Sequence, residues 1–376
     1  MSLSGGGLDD VATIARTDRS GMIVQVARIP EQIRDAWTRS RALELPGRYG
    51  QARNVAVLGM GGSAIGGDLV RAIWADRLML PMEVVRGYEL PAWVTSETLV
   101  VASSHSGATE ETLAAVEAAF QRRCPVTVIT TGGPLGAVAA KASLPLLAFP
   151  GGGQPRAAVG YSLTLLAGLL ERAGALPLDG AEIEAGAAEA DARLAAWGPA
   201  VPTDGNLAKQ IAWSLLDRLP IVTGSGHLAA VARRWKTQLN ENAKTMAVWD
   251  ELPEANHNTV VGYPQPEITT DHQLHLFLAS ASDHPRNTLR AELAMELLTE
   301  NGIGSQVVAL SGGSRFAQAV SGIVLGDLVS AYLGVLYGTD PTPVDAIVRL
   351  KASLADPGDA AVEGSTDPSS EDSDLP

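Results

Sequence analysis

The chain has 376 residues, 46% hydrophobic and 19% charged, so it can bury a real core and is not disordered throughout. A formal net charge of −14 with no basic run argues against a nucleic-acid or anionic-membrane surface. One cysteine, Cys124, excludes an intrachain disulfide framework and a Cys-based zinc cluster.

The length predicts two globular units. The first twenty residues are acidic early and lack an apolar core, so they do not form a secretory signal, and a cytoplasmic location is expected. Short β-branched runs then alternate with helical patterns. Strands are predicted at 54–60, 82–86, 98–103, 125–130 and 144–149, with helices over 68–75 and 110–122. After the glycines Gly151–Gly153, helices are predicted at 157–173, 181–197 and 206–216. Alternation resumes with strands at 219–223, 245–249, 273–279 and 306–310, and with helices at 228–239, 287–301 and 315–337. The apolar stretch 316–338 contains Gln318 and Asp327, which suits a core helix better than a membrane span.

The predicted class is α/β: two domains, each a parallel sheet flanked by helices in three layers, of flavodoxin-like type. The expected boundaries are 1–152 (a helical lead plus the first domain), 153–355 (the second domain with C-terminal helices) and 356–376. That last segment has seven acidic residues, no Lys or Arg, and too little apolar surface to fold, so a disordered tail is expected.

Two strand–loop–helix junctions carry chemistry. Gly59-Met60-Gly61-Gly62-Ser63-Ala64-Ile65-Gly66-Gly67-Asp68 follows a strand and leads into a helix, where bare backbone and helix N-terminal amides suit an anion. The loop also fits a dinucleotide fingerprint in spacing. The acidic ribose partner is poorly placed, however: Glu83 lies near the start of the second strand and Arg86 near its end. The second junction, Ser103-Ser104-His105-Ser106-Gly107-Ala108-Thr109-Glu110-Glu111-Thr112, sets three hydroxyls (Ser104, Ser106 and Thr109) within six residues at a helix N-terminus. A plain N-cap needs only one hydroxyl; Glu110 and Glu111 keep that simpler account open. Two adjacent anion sites suit a phosphorylated small molecule.

These loops resemble the sugar-phosphate loops of the sugar isomerase (SIS) fold. With Trp235-Lys236-Thr237-Gln238-Leu239-Asn240-Glu241-Asn242-Ala243-Lys244, Glu254-Ala255-Asn256-His257-Asn258 and Asp340-Pro341-Thr342-Pro343-Val344, residues 50–354 are similar to the bifunctional phosphoglucose/phosphomannose isomerases. The resemblance implies two SIS-type domains and a metal-independent isomerase interconverting glucose 6-phosphate and mannose 6-phosphate with fructose 6-phosphate. It implies Glu241 as the base, His257 and Lys351 as ring-opening residues, and Arg156 as the cation for a cis-enediolate. It implies Gly62, Ser63, Ser104, Ser106 and Thr109 as the phosphate site. It further implies a homodimer in which His257 reaches the neighbouring subunit's site. Thr342 is a candidate for the hydroxyl linked to mannose-configured substrate. His105 stands where many members carry an aromatic residue; it can supply charge beside the phosphate or simply fill space.

Without the motif, Glu241 would be an ordinary exposed carboxylate, His257 a loop organiser, Lys351 a solvated helix lysine and Arg156 a linker charge. No cofactor is called for. His272 and His275 fall three apart on a predicted strand, where they face opposite sides, so no metal site is expected. Two rivals remain. A non-catalytic SIS-fold sugar-phosphate-binding regulator explains the loops but not Glu241, His257 and Lys351 together. A dinucleotide-dependent oxidoreductase rests on the glycine loop alone.

Overall fold

The computed structural model describes residues 7–355; the predicted acidic tail lies outside the described residues. Three helices lead the chain: α1 (Val11–Thr17), α2 (Met22–Val26) and α3 (Ile29–Arg41). The first α/β unit follows as β1 (Asn54–Leu58), α4 (Gly61–Ile73), β2 (Met82–Val85), β3 (Thr98–Ser104), α5 (Glu110–Gln121), β4 (Val126–Thr130), α6 (Gly133–Lys141) and β5 (Leu146–Ala148). Helices α7 (Val159–Arg172), α8 (Gly180–Trp197) and α9 (Leu207–Ser214) lead to β6 (Leu219–Ser225). The second unit continues with α10 (Ala229–Asn242), β7 (Val248–Leu252), β8 (Gln273–Ser280), α11 (Pro285–Glu300), β9 (Gly304–Leu310), α12 (Arg315–Leu336) and α13 (Asp345–Ala355).

Both sheets are parallel and follow one plan. The first has the order β2-β1-β3-β4-β5 and the second β7-β6-β8-β9. Each therefore reverses direction of winding between its first and third strands, the switch point where α/β sheets place ligands beyond the strands' C-terminal ends. Strand β3 is buried along its whole length, as a strand covered by helices on both faces must be.

Helices α3, α7, α8, α10 and α12 share one apolar core that runs from the first sheet to the second. Helix α7 packs on α3 and α4, while α12 packs on α8, α9 and α10. Helix α12 is long and apolar enough to cross a membrane, yet 94% of its most apolar window is buried inside the protein.

Three local predictions need correction. Helix α4 begins at Gly61, seven residues before the predicted 68–75, because its glycine-rich first turns read as loop. Helix α6 was not predicted, because its Gly133-Pro134 start reads as a turn. Strand β7 begins three residues later than the predicted 245–249, because Thr245 is taken up in capping α10: its amide donates to Leu239 O at 3.2 Å and its carbonyl accepts from Asn240 at 2.7 Å.

Candidate active site

The two predicted loops meet at the first sheet's switch point. The chain leaves β1 through Gly59 and turns into α4 at Gly61, whose φ of +49° is left-handed and favours glycine. A Cβ on Gly62 would lie 2.8 Å from Pro155 O and 3.0 Å from Arg156 N. Glycine thus lets this loop press directly on the segment that carries Arg156. The backbone amide of His105 donates to Ser63 Oγ at 3.0 Å, tying the second loop to the first. Ser104 Oγ and Thr109 Oγ1 lie 2.8 Å apart, and Ser106 Oγ accepts from Ala108 N at 3.3 Å. Thr109 occupies the N-cap position of α5, but its hydroxyl makes no cap bond and faces Ser104 instead. The simple capping account does not describe this loop.

Arg156 sits in a 3-10 turn, Pro155–Ala158, and is only 3% exposed. All five of its N–H donors are committed. Nε donates to Asn242 Oδ1 at 2.7 Å; Nη1 donates to Gln154 Oε1 at 3.1 Å and to Glu241 Oε2 at 3.3 Å. Nη2 donates to the carbonyls of Pro341 at 2.9 Å and Thr342 at 2.7 Å. One guanidinium therefore joins three segments far apart in the chain and fixes the Glu241 carboxylate. Burial holds it below the usual arginine value, and the nearby Glu241 and Asp327 charges oppose that shift. What Arg156 offers an anion in front of Glu241 is its charge, since its donors are already taken.

Glu241 lies on the last turn of α10 and borders a cavity of about 700 Å³ together with Lys244, Asp340 and Val344. Behind it, Arg234 on α10 and Asp327 on α12 form an ion pair of 2.6 Å with both side chains 1% exposed. Arg234 Nη2 also donates to Arg156 O at 2.8 Å, and Asn242 Nδ2 donates to Ser330 Oγ at 3.0 Å. Helix α12 thus braces both neighbours of Glu241.

Lys244 ends α10 at φ +56°, a conformation that costs a non-glycine residue about 1–2 kcal/mol. Its ammonium offsets this by donating to Glu241 O at 2.6 Å and Pro341 O at 2.8 Å. Burial first, then the nearby Arg156 charge, pushes the amine down to about 8 from an ordinary 10.5. Between those values the unfolded chain holds more protons than the folded one, so native stability gains with rising pH. Lys244→Met is expected to remove that gain, measured as the difference in urea unfolding free energy between roughly pH 7.5 and 10.

The other predicted residues fall elsewhere. His257 closes a 3-10 turn, Glu254–His257, is exposed, and does not line the cavity beside Glu241. Lys351 lies exposed on α13 with no polar partner among the described residues. His105 packs edge-on against Phe149, with centroids 5.6 Å apart; its Nε2 is buried without a partner, and burial lowers its basicity. A neutral, space-filling ring fits that setting better than a positive charge. Thr342 gives its carbonyl to Arg156, while its own Oγ1 is buried without a partner. His275 is buried in β8 against Tyr263, and His272 ends the preceding 3-10 turn.

Sequence reasoning missed Gln154, Asn242, Arg234 and Asp327. Asn242 adjoins Glu241 in the motif and Gln154 precedes Arg156 by two, so both were within reach. Nothing in the sequence pairs Arg234 with Asp327.

Residues 204–354 match the family model of the bacterial phospho-glucose isomerase C-terminal SIS domain. A Thermus thermophilus structure described as hypothetical protein TT0462 is similar with a TM-score of 0.71 and 19% identity, over 93% of this chain and 94% of that one. Two parallel sheets on one plan, with a glycine-and-hydroxyl cradle at the first switch point, make this a protein of the SIS-domain sugar isomerase class. The bifunctional phosphoglucose/phosphomannose isomerase of Caldicellulosiruptor bescii is 40% identical over 341 residues, 89% of this chain and 99% of that protein. The Aquifex aeolicus protein of the same name is 33% identical, over 80% of this chain and 90% of its own length. The chain belongs to the bifunctional phosphoglucose/phosphomannose isomerase family.

Proposed function

We propose that the chain interconverts glucose 6-phosphate and mannose 6-phosphate with fructose 6-phosphate through a cis-enediolate, without a metal. One observation carries this reading: the anion cradle touches the Arg156 segment at Gly62, and Arg156 in turn holds Glu241. A phosphate on Gly62, Ser63, Ser104, Ser106 and Thr109 anchors the sugar while Glu241 moves the proton between C2 and C1. The charge of Arg156 stabilises the enediolate. The Thr342 hydroxyl, buried without a partner, would meet a substrate hydroxyl only once uncovered.

His257 and Lys351 serve ring opening in this reading, and His257 does so from the neighbouring subunit of a homodimer. Support comes from the exposure of His257 and from the bare apolar side of α13, where Ile347, Leu350 and Leu354 share a face and are 39%, 62% and 66% exposed. A coupled assay on glucose and mannose 6-phosphates with EDTA present tests the activity, and loss in EDTA would overturn the metal-free reading. No turnover at all, with sugar phosphate still bound, would favour a regulator. For the shared site, coexpressed Glu241→Gln and His257→Ala chains should regain up to about half of wild-type activity per mixed dimer. No recovery in demonstrably mixed dimers places His257 in its own subunit's site.

The phosphate cradle has its own test. Ser104→Ala with Thr109→Ala removes two donors worth about 1.5–3 kcal/mol each to an anion, so affinity for fructose 6-phosphate should fall by about 10²–10⁴-fold. The two hydroxyls bond mainly to each other, so the melting temperature should hold. Lost stability with unchanged affinity would make the loop a structural cap.

A further inference from the structure

The second domain repeats the ligand-binding backbone of the first, and no step of the proposed reaction uses it. Strand β6 ends in Gly224-Ser225-Gly226, with Gly226 at φ +51°, matching Gly61 at +49° after β1. A Cβ on Gly224 would lie 2.4 Å from Leu228 O, so this turn too closes as only glycine allows. Across the switch point, the loop after β8 meets it. Ser225 Oγ donates to Asp283 Oδ1 at 3.2 Å, and Ser280 N donates to Asp283 Oδ2 at 2.7 Å. The corresponding tie in the first domain is the amide of His105 on Ser63 Oγ. A carboxylate therefore already fills this second cradle, and an incoming anion must bind further out.

A cavity of about 530 Å³, the size of a small-molecule pocket, opens there between α4 and the C-terminal edge of the second sheet. It shares no residue with the Arg156–Glu241 cluster. Its outer wall is cationic. Arg71 on α4 makes no hydrogen bond or ion pair among the described residues, and Arg315 at the start of α12 pairs only with the exposed Asp76, at 2.9 Å. Arg233 is held at 3.1 Å by Asp68, a carboxylate with 6% exposure that also pairs with Arg86. The inner wall offers Asp283, Glu251 and Asn287. Guanidinium forks suit phosphate oxygens, while carboxylates and an amide suit hydroxyls and repel a second anionic group.

We propose that this interdomain cleft is a second, non-catalytic binding site for a small hydroxylated phosphate monoester. The phosphate lies between Arg71 and Arg315, and the hydroxyls face Asp283, Glu251 and Asn287.

The test uses the full-length Glu241→Gln chain, in which turnover should be slowed by about 10²–10⁴-fold, titrated calorimetrically with fructose 6-phosphate. Two molecules should bind per chain. Adding Arg71→Glu or Arg315→Gln should weaken one of them at least about tenfold and leave the other unchanged. Adding Ser104→Ala and Thr109→Ala should do the reverse. Arg71 touches no polar partner, so its reversal should leave the melting temperature unchanged and separates lost binding from lost folding. One molecule per chain, or two that ignore both arginine variants, overturns the inference. Isomerase activity of the parent chain is measured separately, so the second site can fail while the proposed activity stands.

Discussion

Glu241→Gln should lower kcat by about 10²–10⁴-fold with little change in KM. The amide is nearly isosteric, and its oxygen can still accept from Arg156 Nη1, so the link from Arg156 to α10 survives. What it cannot do is accept a proton. A variant that keeps the fold and the phosphate cradle but loses turnover would separate chemistry from binding, which a regulator could not show. Stopped-flow or coupled-assay turnover above about half of wild type would remove Glu241 from the reaction. Sugar-phosphate affinity should stay within a few-fold, because the phosphate contacts lie on the other side of Arg156.

Asp327→Asn should destabilise the fold by about 3–5 kcal/mol, because it leaves Arg234 buried without its counter-charge. Burial raises the proton affinity of Asp327, and Arg234 opposes that by charge and hydrogen bond, so the pair depends on both members. The loss should appear as a lower urea midpoint with an unchanged slope. A cost below about 1 kcal/mol would mean that the interior relaxes around the free guanidinium. Replacing both partners, as in Arg234→Met with Asp327→Leu, should recover most of the stability, since well-packed apolar pairs often equal buried ion pairs. That double variant should still turn over slowly, because Arg234 also holds the carbonyl of Arg156. Restored stability without restored kcat would show that the pair positions the site as well as holding α10 to α12.

Much of this architecture is written locally. The β-branched runs 54–58, 98–104 and 126–130 end in glycine or hydroxyl residues, so strand and loop are legible where they adjoin. The contact between Ser104 and Thr109 lies within one loop, and the tie between Ser63 and His105 follows from the pairing of β1 with β3. Asp327 already marks 316–338 as a core helix rather than a span. Local signals failed where a backbone conformation outweighed composition: at the Gly-Pro start of α6, and at Lys244, whose left-handed turn delays β7.

Only the tertiary structure decided what surrounds Glu241. The five donors of Arg156 reach residues as far as 186 positions away, and which carbonyls they meet depends on how α10, α12 and the 340–344 segment pack. Periodicity tells which face of a helix is buried but not which helix covers it. The motif gathered Glu241, Arg156, His257 and Lys351 into one list; packing within the chain brings only the first two into contact. The other two stay exposed and away from the Glu241 cavity, a placement set by how the 254–257 turn and α13 pack rather than by the order of residues.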